Sequence, residues 1–347
     1  MELRARADWN MHDGVQDGVP FCQGKTEPKQ PRGLVAGRAG SVGTSLSPRM
    51  VATVRKWAEF VKFSHTVFAL PFALAAMAVA ARDNRGWPGW RTFALILAAM
   101  VCARTCAMAF NRIVDREFDR ENPRTAGRHL PAGAVSLAGA CTLCLASGAG
   151  LVLASWFLNR LCFYLSPLAL VVICFYSLTK RFTDYTHLFL GLALALAPVG
   201  AWLAVKGSSI SLPEVVSMLV LALAVMCWLI GFDVIYALQD YEFDRRRGLH
   251  SLVVAWGPRN ALAAAFLAHM VMWGLLFAFG LLSRFRIAYV AGLLMILGSL
   301  LLEHWLARRR SLNWINTAFF RLNALISSIF LVVTLAEVVF HGGFKLQ

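Results

Sequence analysis

The sequence predicts an all-α integral membrane protein that crosses the lipid bilayer nine times. Its 347 residues are 58% hydrophobic and only 15% charged, which is more apolar than an ordinary soluble domain of this length. Several uninterrupted apolar runs approach the roughly 20 residues that a helix needs to cross the hydrocarbon core. These runs do not alternate between polar and apolar residues, which argues against a membrane β-barrel.

Residues 1–49 are predicted to lie outside the membrane domain. They are polar, rich in Gly and Arg, and contain no apolar run long enough for the core of a signal peptide. Met50 directly precedes the first amphipathic stretch. We therefore expect residues 1–49 to be a disordered tail or the product of a start codon assigned too early, and residues 50–347 to form the membrane domain.

Nine apolar runs predict the membrane-spanning helices. Their approximate bounds are Phe63–Ala81, Thr92–Phe110, Val135–Phe157, Leu161–Leu178, Leu188–Val205, Val215–Tyr236, Ala261–Leu282, Ile287–Leu302 and Thr317–Phe340. The loops after the even-numbered spans carry more Arg and Lys than the opposite loops, which places them in the cytoplasm by the positive-inside rule. We expect the protein in a bacterial inner membrane, with its active site facing the cytoplasm.

The formal net charge of +15 is distributed over these loops and does not form one basic face. This distribution favours a membrane surface and an anionic substrate over nucleic acid as the partner of the basic residues.

The most informative segment follows the second span. Asn111, Asp115 and Asp119 are spaced by four residues, so they share one face of a helix. Like charges in this arrangement repel each other unless a cation lies among them. The alternative is a solvated helix end whose carboxylates are balanced by neighbouring Arg residues.

A second acidic cluster ends the sixth span. Asp233, Tyr236, Asp240 and Asp244 again share a helical face, and Asp233 lies in an otherwise apolar run, where an ionisable group is usually functional. Two such clusters at equivalent depth favour a functional site over simple solvation.

Oxygen ligands at helical spacing predict a magnesium site that also binds a diphosphate. Magnesium takes one or two carboxylates from the protein, while phosphate and water complete its coordination. The sequence has no GxxxxGK[ST] loop, so a P-loop nucleotide site is not expected. Basic residues that could neutralise a leaving diphosphate are Arg124, Arg128, Lys180 and Arg181.

These segments resemble the motifs of the UbiA superfamily of intramembrane aromatic prenyltransferases, and the resemblance covers about residues 55 to 340. The resembling segments are Asn111-x3-Asp115-x3-Asp119, Arg124-Thr-x2-Arg128-x-Leu-x2-Gly133, Tyr176-x3-Lys180-Arg181 and Asp233-x2-Tyr236-x3-Asp240-x3-Asp244.

The resemblance implies nine helices around a central cavity, with the two Asp-rich motifs facing each other across it. Lys180 would contact the diphosphate, as would Lys62, which stands where many members have Arg. Arg104 corresponds to one of the positions associated with the carboxylate of the acceptor, with snorkelling at a helix end as the alternative. The implied ligands of magnesium and diphosphate are Asn111, Asp115, Asp119, Asp240 and Asp244.

The implied reaction is magnesium-dependent transfer of a polyprenyl chain from polyprenyl diphosphate to an aromatic acid. Departure of the diphosphate would leave an allylic cation, which the ring attacks ortho to its hydroxyl. Tyr176 and Tyr236 could face this cation, although core packing is an equal alternative. Asp233 could orient a ligand residue.

The acceptor ranked first is 4-hydroxybenzoate, in quinone biosynthesis. The alternative is a futalosine-derived naphthoic acid of menaquinone biosynthesis, because the stretches around Lys62, His65 and Asn122 are similar to a branch that includes both kinds of enzyme. Arg128-His129-Leu130 also departs from the Arg-Pro-Leu that is frequent in hydroxybenzoate enzymes.

Two rival functions remain. A CDP-alcohol phosphotransferase also binds a diphosphate with Asp residues, but the sequence lacks the DG and AR elements of that family. A non-enzymatic membrane transporter predicts acidic groups near the bilayer midplane or broken half-helices, whereas these clusters lie at helix ends.

Overall fold

The computed structural model describes residues 55–61, 66–309 and 312–341, and this part of the chain contains helices and no strands. Two 3-10 turns, Tyr176–Arg181 and Leu238–Asp240, connect helices near the predicted site residues. The helices are α1 (55–60), α2 (Thr66–Ala80), α3 (Trp90–Val114), α4 (Arg116–Glu121), α5 (Leu137–Leu158), α6 (Arg160–Phe175), α7 (Thr186–Lys206), α8 (Leu212–Ala237), α9 (Tyr241–Arg247), α10 (Leu252–Leu282), α11 (Ile287–Arg309) and α12 (Leu312–His341).

Eight segments of the described chain are long and apolar enough to cross a membrane, and they include helices α3, α5, α6, α7, α8, α10, α11 and α12. The predicted all-α, multi-pass membrane fold is therefore confirmed. The first predicted span corresponds to α2, whose described length of 15 residues is below the roughly 20 that span a bilayer. A ninth span stays a prediction. The predictions for residues 1–49, Lys62 and His65 lie outside the described residues.

Local sequence signals explain where several helices begin. Ser211 and Glu214 form a reciprocal capping box at the start of α8. The Asn159 side chain accepts a hydrogen bond from the N–H of Cys162 at 2.9 Å, which caps α6. These caps satisfy backbone donors that have no partner within the helix.

Helix α10 begins earlier than the sequence predicted. The apolar run suggested a start near Ala261, but the helix begins at Leu252 and is kinked at Gly257, whose φ of 76° and ψ of 158° are not helical. Pro258 follows the kink, and its ring prevents the preceding residue from continuing the helix. The Gly-Pro pair thus divides α10 into a short first segment and a longer second segment, which meet at a kink.

Helix α8 packs mainly against α7 and α10. A Cβ atom on Gly231 would lie 2.3 Å from Cδ2 of His269 and 2.8 Å from the carbonyl oxygen of Ala265, so α8 and α10 approach closely there. Small residues allow such close packing between membrane helices.

A chain of buried polar side chains crosses the same part of the core. Trp228 Nε1 donates to Asn323 Oδ1 at 2.8 Å, and Asn323 Nδ2 donates to Glu303 Oε1 at 2.8 Å. Beside it, His269 Nδ1 lies 2.9 Å from His304 Nε2. These groups supply hydrogen-bond partners to one another that neither lipid nor apolar side chains could supply.

Candidate active site

A cavity of about 490 Å³ lies among α3, α4, α7, α8 and α9 and the 3-10 turn after α6. Its apolar wall includes Leu190, Leu194, Leu229, Phe232 and Phe320. Of the predicted site residues, only Lys62 lies outside the described chain. The others all line this cavity: Arg104, Asn111, Asp115, Asp119, Arg124, Arg128, Tyr176, Lys180, Arg181, Asp233, Tyr236, Asp240 and Asp244.

The first acidic motif spans the junction of α3 and α4. Helix α3 ends at Val114, and the backbone at Asp115 has φ −94° and ψ 6°. The N–H of Asp115 still donates to the carbonyl of Asn111 at 3.0 Å, and that of Asp119 donates to the carbonyl of Asp115 at 2.8 Å. Because the four-residue hydrogen bonding continues through the junction, all three side chains still face the cavity, as the spacing predicted.

Asp119 lies between two guanidinium groups. Arg128 Nη1 donates to Asp119 Oδ1 at 2.6 Å, and Arg112 Nη1 lies 3.7 Å from Oδ2. Oδ2 is buried and has no hydrogen-bond partner among the described residues. Since buried carboxylate oxygens normally have partners, Oδ2 is an available acceptor for a cation or a donor group.

Asp115 has an unusual electrostatic environment. Burial and the neighbouring Asp119 carboxylate raise the pKa of Asp115 to about 6, although Lys180, Arg181 and Arg128 oppose the shift. Asn111 Nδ2 donates to Asp115 Oδ2 at 2.8 Å. The two carboxylates are thus close enough to repel each other, as the sequence predicted.

The second acidic motif contains a change of helix type. Helix α8 ends at Ala237, and the 3-10 turn Leu238–Asp240 precedes α9. The sequence predicted one uninterrupted helix through this motif, whereas the structure has a turn of 3-10 helix that ends at Asp240. Asp233, Asp240 and Asp244 nevertheless line the same cavity.

Arg124 connects the two motifs. Its Nε donates to Asp240 Oδ1 at 2.7 Å and its Nη2 donates to Oδ2 at 2.5 Å. Nη1 donates to the Tyr236 hydroxyl at 3.1 Å, and the guanidinium lies 5.4 Å from the centre of that ring. Asn122 Nδ2 adds a 3.1 Å hydrogen bond to Asp240 Oδ1.

Two further basic residues enter the cavity from the turn after α6. Lys180 Nζ lies 3.4 Å from Asp244 Oδ2, and Arg181 Nη2 lies 3.7 Å from Asp115 Oδ1. Arg181 also donates to the carbonyl of Val114 at 2.7 Å, which satisfies an acceptor at the end of α3. The turn therefore holds positive charge beside both acidic motifs.

Arg104 and Asp233 lie deeper on their helices than the motif carboxylates. Arg104 Nε is buried and has no hydrogen-bond partner within the described chain. Asp233 Oδ2 lies 2.6 Å from Nδ1 of His187, whose side chain is completely buried. Within the described residues, the cavity thus contains a half-buried guanidinium without a carboxylate ion pair and a carboxylate paired with a histidine.

The donor set fits magnesium. No three carboxylate, His or Cys side chains of the described chain converge on one point. Magnesium does not require such a group, because it takes one or two carboxylates together with phosphate and water. Oδ2 of Asp119 is an oxygen donor without a hydrogen-bond partner, and the other motif carboxylates line the same cavity.

The sequence analysis did not predict a site role for five polar residues that line the cavity or contact a residue that lines it. They are Arg112, Asn122, Thr125, Ser177 and His187. Arg112 was read only as a balancing charge, and Asn122 only as part of a resembling segment. His187 carried a signal that could have been used, since an ionisable residue in an apolar run is usually functional. Thr125 and Ser177 carried no distinct signal.

Comparisons with known proteins agree with this geometry. Residues 69–325 match the model of the UbiA prenyltransferase family. The chain is 30% identical over 253 residues to a 4-hydroxybenzoate octaprenyltransferase of Tolumonas auensis, covering 73% of this chain and 86% of that protein. It is 33% identical over 228 residues to a protein of the same name from Alcanivorax borkumensis, covering 65% of this chain and 76% of the relative.

Solved structures show the same fold. The apo structure of a UbiA homolog from Aeropyrum pernix K1 matches with a TM-score of 0.69 and 31% identity, over 80% of this chain and 98% of that one. A UbiA homolog from Archaeoglobus fulgidus bound to DMAPP and Mg²⁺ matches with a TM-score of 0.61 and 21% identity, over 82% and 99%. The chain therefore belongs to the UbiA prenyltransferase family and is a prenyltransferase enzyme embedded in the membrane.

Proposed function

We propose that this enzyme transfers a polyprenyl chain from polyprenyl diphosphate to 4-hydroxybenzoate, in a magnesium-dependent step of quinone biosynthesis. The observation that carries the proposal is one cavity that combines the carboxylates of two motifs, several Arg and Lys side chains and an apolar wall. These three environments suit a prenyl diphosphate bound with magnesium. The carboxylates would bind the metal, the basic side chains would attract the anionic diphosphate, and the apolar wall would hold the hydrocarbon chain.

Asp115, Asp119, Asp240 and Asp244, with Asn111, are the proposed magnesium ligands. Magnesium bound there would neutralise charge on the diphosphate as it leaves. Arg124, Arg128, Lys180 and Arg181 would supply fixed positive charge to the same group. Each of them lines the cavity while paired with a motif carboxylate, so the pairs also keep these side chains oriented.

The apolar wall would hold the prenyl chain and exclude water from the carbon that ionises. Phe232, Leu190 and Leu194 belong to it. Tyr236 presents its ring to the cavity and is held by the Arg124 hydrogen bond to its hydroxyl. An aromatic face in this position would stabilise an allylic cation by cation–π attraction.

Arg104 is the proposed partner of the acceptor carboxylate. The Arg104 side chain is half-buried, and its buried Nε has no hydrogen-bond partner in the described residues, so an anion bound there would satisfy it. The relatives named 4-hydroxybenzoate octaprenyltransferases support an aromatic acid of this kind as acceptor and a long prenyl chain as donor. We place the cavity at the cytoplasmic side of a bacterial inner membrane on the distribution of Arg and Lys.

The test uses membranes that contain the protein, with magnesium, a polyprenyl diphosphate and ring-labelled 4-hydroxybenzoate. We expect label in the lipid phase, and loss of that product when a chelator removes the metal. Membranes with Asp240→Asn provide the matched negative control.

A second arm replaces the acceptor with a futalosine-derived naphthoic acid, the alternative acceptor named above. Transfer to the naphthoic acid alone would move the enzyme to menaquinone biosynthesis. Failure with both acids would contradict the proposed function.

A further inference from the structure

Five carboxylates line the cavity, and one of them differs from the rest in its partner. Asp115, Asp119, Asp240 and Asp244 each lie within 4.0 Å of an Arg or Lys nitrogen. Asp233 has no such ion pair among the described residues, and its partner is His187 at 2.6 Å. This difference matters because a fixed positive charge lowers the proton affinity of a carboxylate.

The hydrogen bond between His187 and Asp233 indicates which ring nitrogen of His187 acts as the donor. A carboxylate oxygen accepts, so Nδ1 of His187 carries the proton that it donates to Asp233 Oδ2. Nε2 is buried and has no hydrogen-bond partner in the described chain. The bond from Nδ1 is therefore the contact through which His187 orients the Asp233 carboxylate.

The position of Asp233 separates it from the proposed metal ligands. It precedes Asp240 by seven residues on one helical segment, which corresponds to about 10 Å along the axis. Its neighbours on the cavity wall include Leu229 and Phe232. If the diphosphate binds beside Asp115, Asp119, Asp240 and Asp244, as proposed above, Asp233 would lie on the side of the cavity toward the apolar wall, where the prenyl chain and the acceptor ring would meet.

We propose that His187 is a positioning residue that holds Asp233 as the proton acceptor of the transfer reaction. This inference rests on the proposed function. Once the allylic cation has bonded to the ring carbon ortho to the hydroxyl, that carbon still carries a hydrogen. The C–H bond breaks, its electron pair restores the aromatic ring, and the proton passes to the free oxygen of Asp233, which later releases it to solvent.

Other charged or titratable groups face this pair. Lys180 acts on Asp233 electrostatically from the turn after α6, but its ammonium lies next to Asp244. Tyr236 and Asp240 line the cavity from the same helical segment, and both hydrogen bond to Arg124. Asp115 also has a raised proton affinity, yet it is a proposed magnesium ligand, and a bound cation lowers the proton affinity of its ligands.

The test compares the full-length parent protein in lipid nanodiscs with His187→Leu and His187→Gln. The substrates are a polyprenyl diphosphate and 4-hydroxybenzoate deuterated at the carbons ortho to the hydroxyl; if the parent uses the naphthoic acid, that acid is deuterated instead. The matched control is His250→Gln, because His250 forms a similar pair with Asp184 at 2.9 Å but does not line the cavity.

We expect His187→Leu to lower kcat about 10- to 100-fold, the usual effect of removing a group that orients a functional residue. The KM for the prenyl diphosphate should change little. Proton removal should become rate limiting, so a primary deuterium isotope effect should appear on kcat that the parent lacks. His187→Gln retains an N–H donor and should restore most of the rate, and His250→Gln should behave like the parent.

An unchanged kcat in His187→Leu, or a lower kcat without an isotope effect, would overturn the inference. If His187→Leu does not fold, Asp233→Asn decides the question, because it has the same shape and should show both the loss of rate and the isotope effect. If the parent protein prenylates an aromatic acid and the variants keep its kcat and show no isotope effect, only the proposed role of His187 and Asp233 is contradicted. A parent that prenylates neither acid contradicts the proposed function and this inference together.

Discussion

Arg124 forms two parallel hydrogen bonds with Asp240, at 2.7 Å from Nε and 2.5 Å from Nη2. Arg124 follows the first acidic motif and Asp240 belongs to the second, so this pair joins two segments that are more than a hundred residues apart in the chain. The fork geometry of the guanidinium matches the two oxygens of a carboxylate, which Lys cannot reproduce.

Replacing Arg124 should reduce both activity and stability. We expect Arg124→Ala to lower the free energy of unfolding by about 1–3 kcal/mol, because it leaves Asp240 without its charged hydrogen-bond donor. Arg124→Lys should retain part of the stability but little of the activity. Thermal denaturation in detergent measures the first effect and the prenyl-transfer assay measures the second.

Arg116→Ala is the matched control for Arg124. Arg116 pairs with Glu117 at 3.2 Å, but both side chains are largely exposed, at 41% and 71%. Exposed pairs of this kind contribute roughly 0–1 kcal/mol, so stability should change little. Equal destabilisation by Arg116→Ala and Arg124→Ala would contradict the role of the bidentate pair.

Removing a motif carboxylate should abolish the dependence on magnesium together with turnover. We expect Asp115→Asn and Asp240→Asn each to lower turnover by about 100-fold or more, which corresponds to roughly 2.7 kcal/mol of activation free energy. The measurement is the initial rate as a function of magnesium concentration. Asp83→Asn is the control, because Asp83 is 94% exposed and does not line the cavity. Full activity in either motif variant would remove that residue from the metal site.

Replacing Arg104 should affect the acceptor more than the diphosphate. Loss of a charge-assisted hydrogen bond is worth about 1.5–3 kcal/mol, so Arg104→Ala should raise the acceptor KM roughly 10- to 100-fold. The magnesium dependence should stay close to that of the parent. Arg91→Ala is the control, because Arg91 does not line the cavity and its Nη2 donates to the carbonyl of Phe157 at 3.1 Å. An unchanged acceptor KM in Arg104→Ala would exclude Arg104 as the carboxylate ligand.

Adding a methyl group at Gly231 should separate two central helices. The new Cβ would lie 2.8 Å from the carbonyl oxygen of Ala265, and a backbone atom of α10 cannot rotate away. We expect Gly231→Ala to destabilise the protein by about 1–3 kcal/mol. Asp233 lies two residues further along α8, so turnover should fall as well. The midpoint of thermal denaturation measures the stability.

Gly274→Ala is the matched control on α10. A Cβ atom there meets nothing within 4 Å, so the substitution adds no clash and removes the flexibility of glycine from a helix interior. Its midpoint should equal or exceed that of the parent. A similar loss of stability in both glycine variants would show that the close approach of α8 and α10 is not the cause.

Most of the architecture follows from local properties of the chain. Long apolar runs can only be helices in lipid, because each backbone donor and acceptor must be satisfied within its own segment. The four-residue spacing of Asn111, Asp115 and Asp119 likewise placed them on one face, and the structure retains that face across the junction of α3 and α4. Helix ends were less predictable, since the kink at Gly257 allows α10 to begin at Leu252.

The sequence alone determined that this is a multi-pass helical membrane protein, and it predicted two clusters of acidic residues, which the structure brings to one cavity. Only the tertiary structure decided which basic side chain pairs with each carboxylate. The pairing of Arg124 with Asp240, of Lys180 with Asp244 and of His187 with Asp233 depends on helix packing between distant segments. Residue spacing fixes neighbours within one helix, whereas the distance between two helices depends on how their side chains pack, and no local pattern encodes that distance.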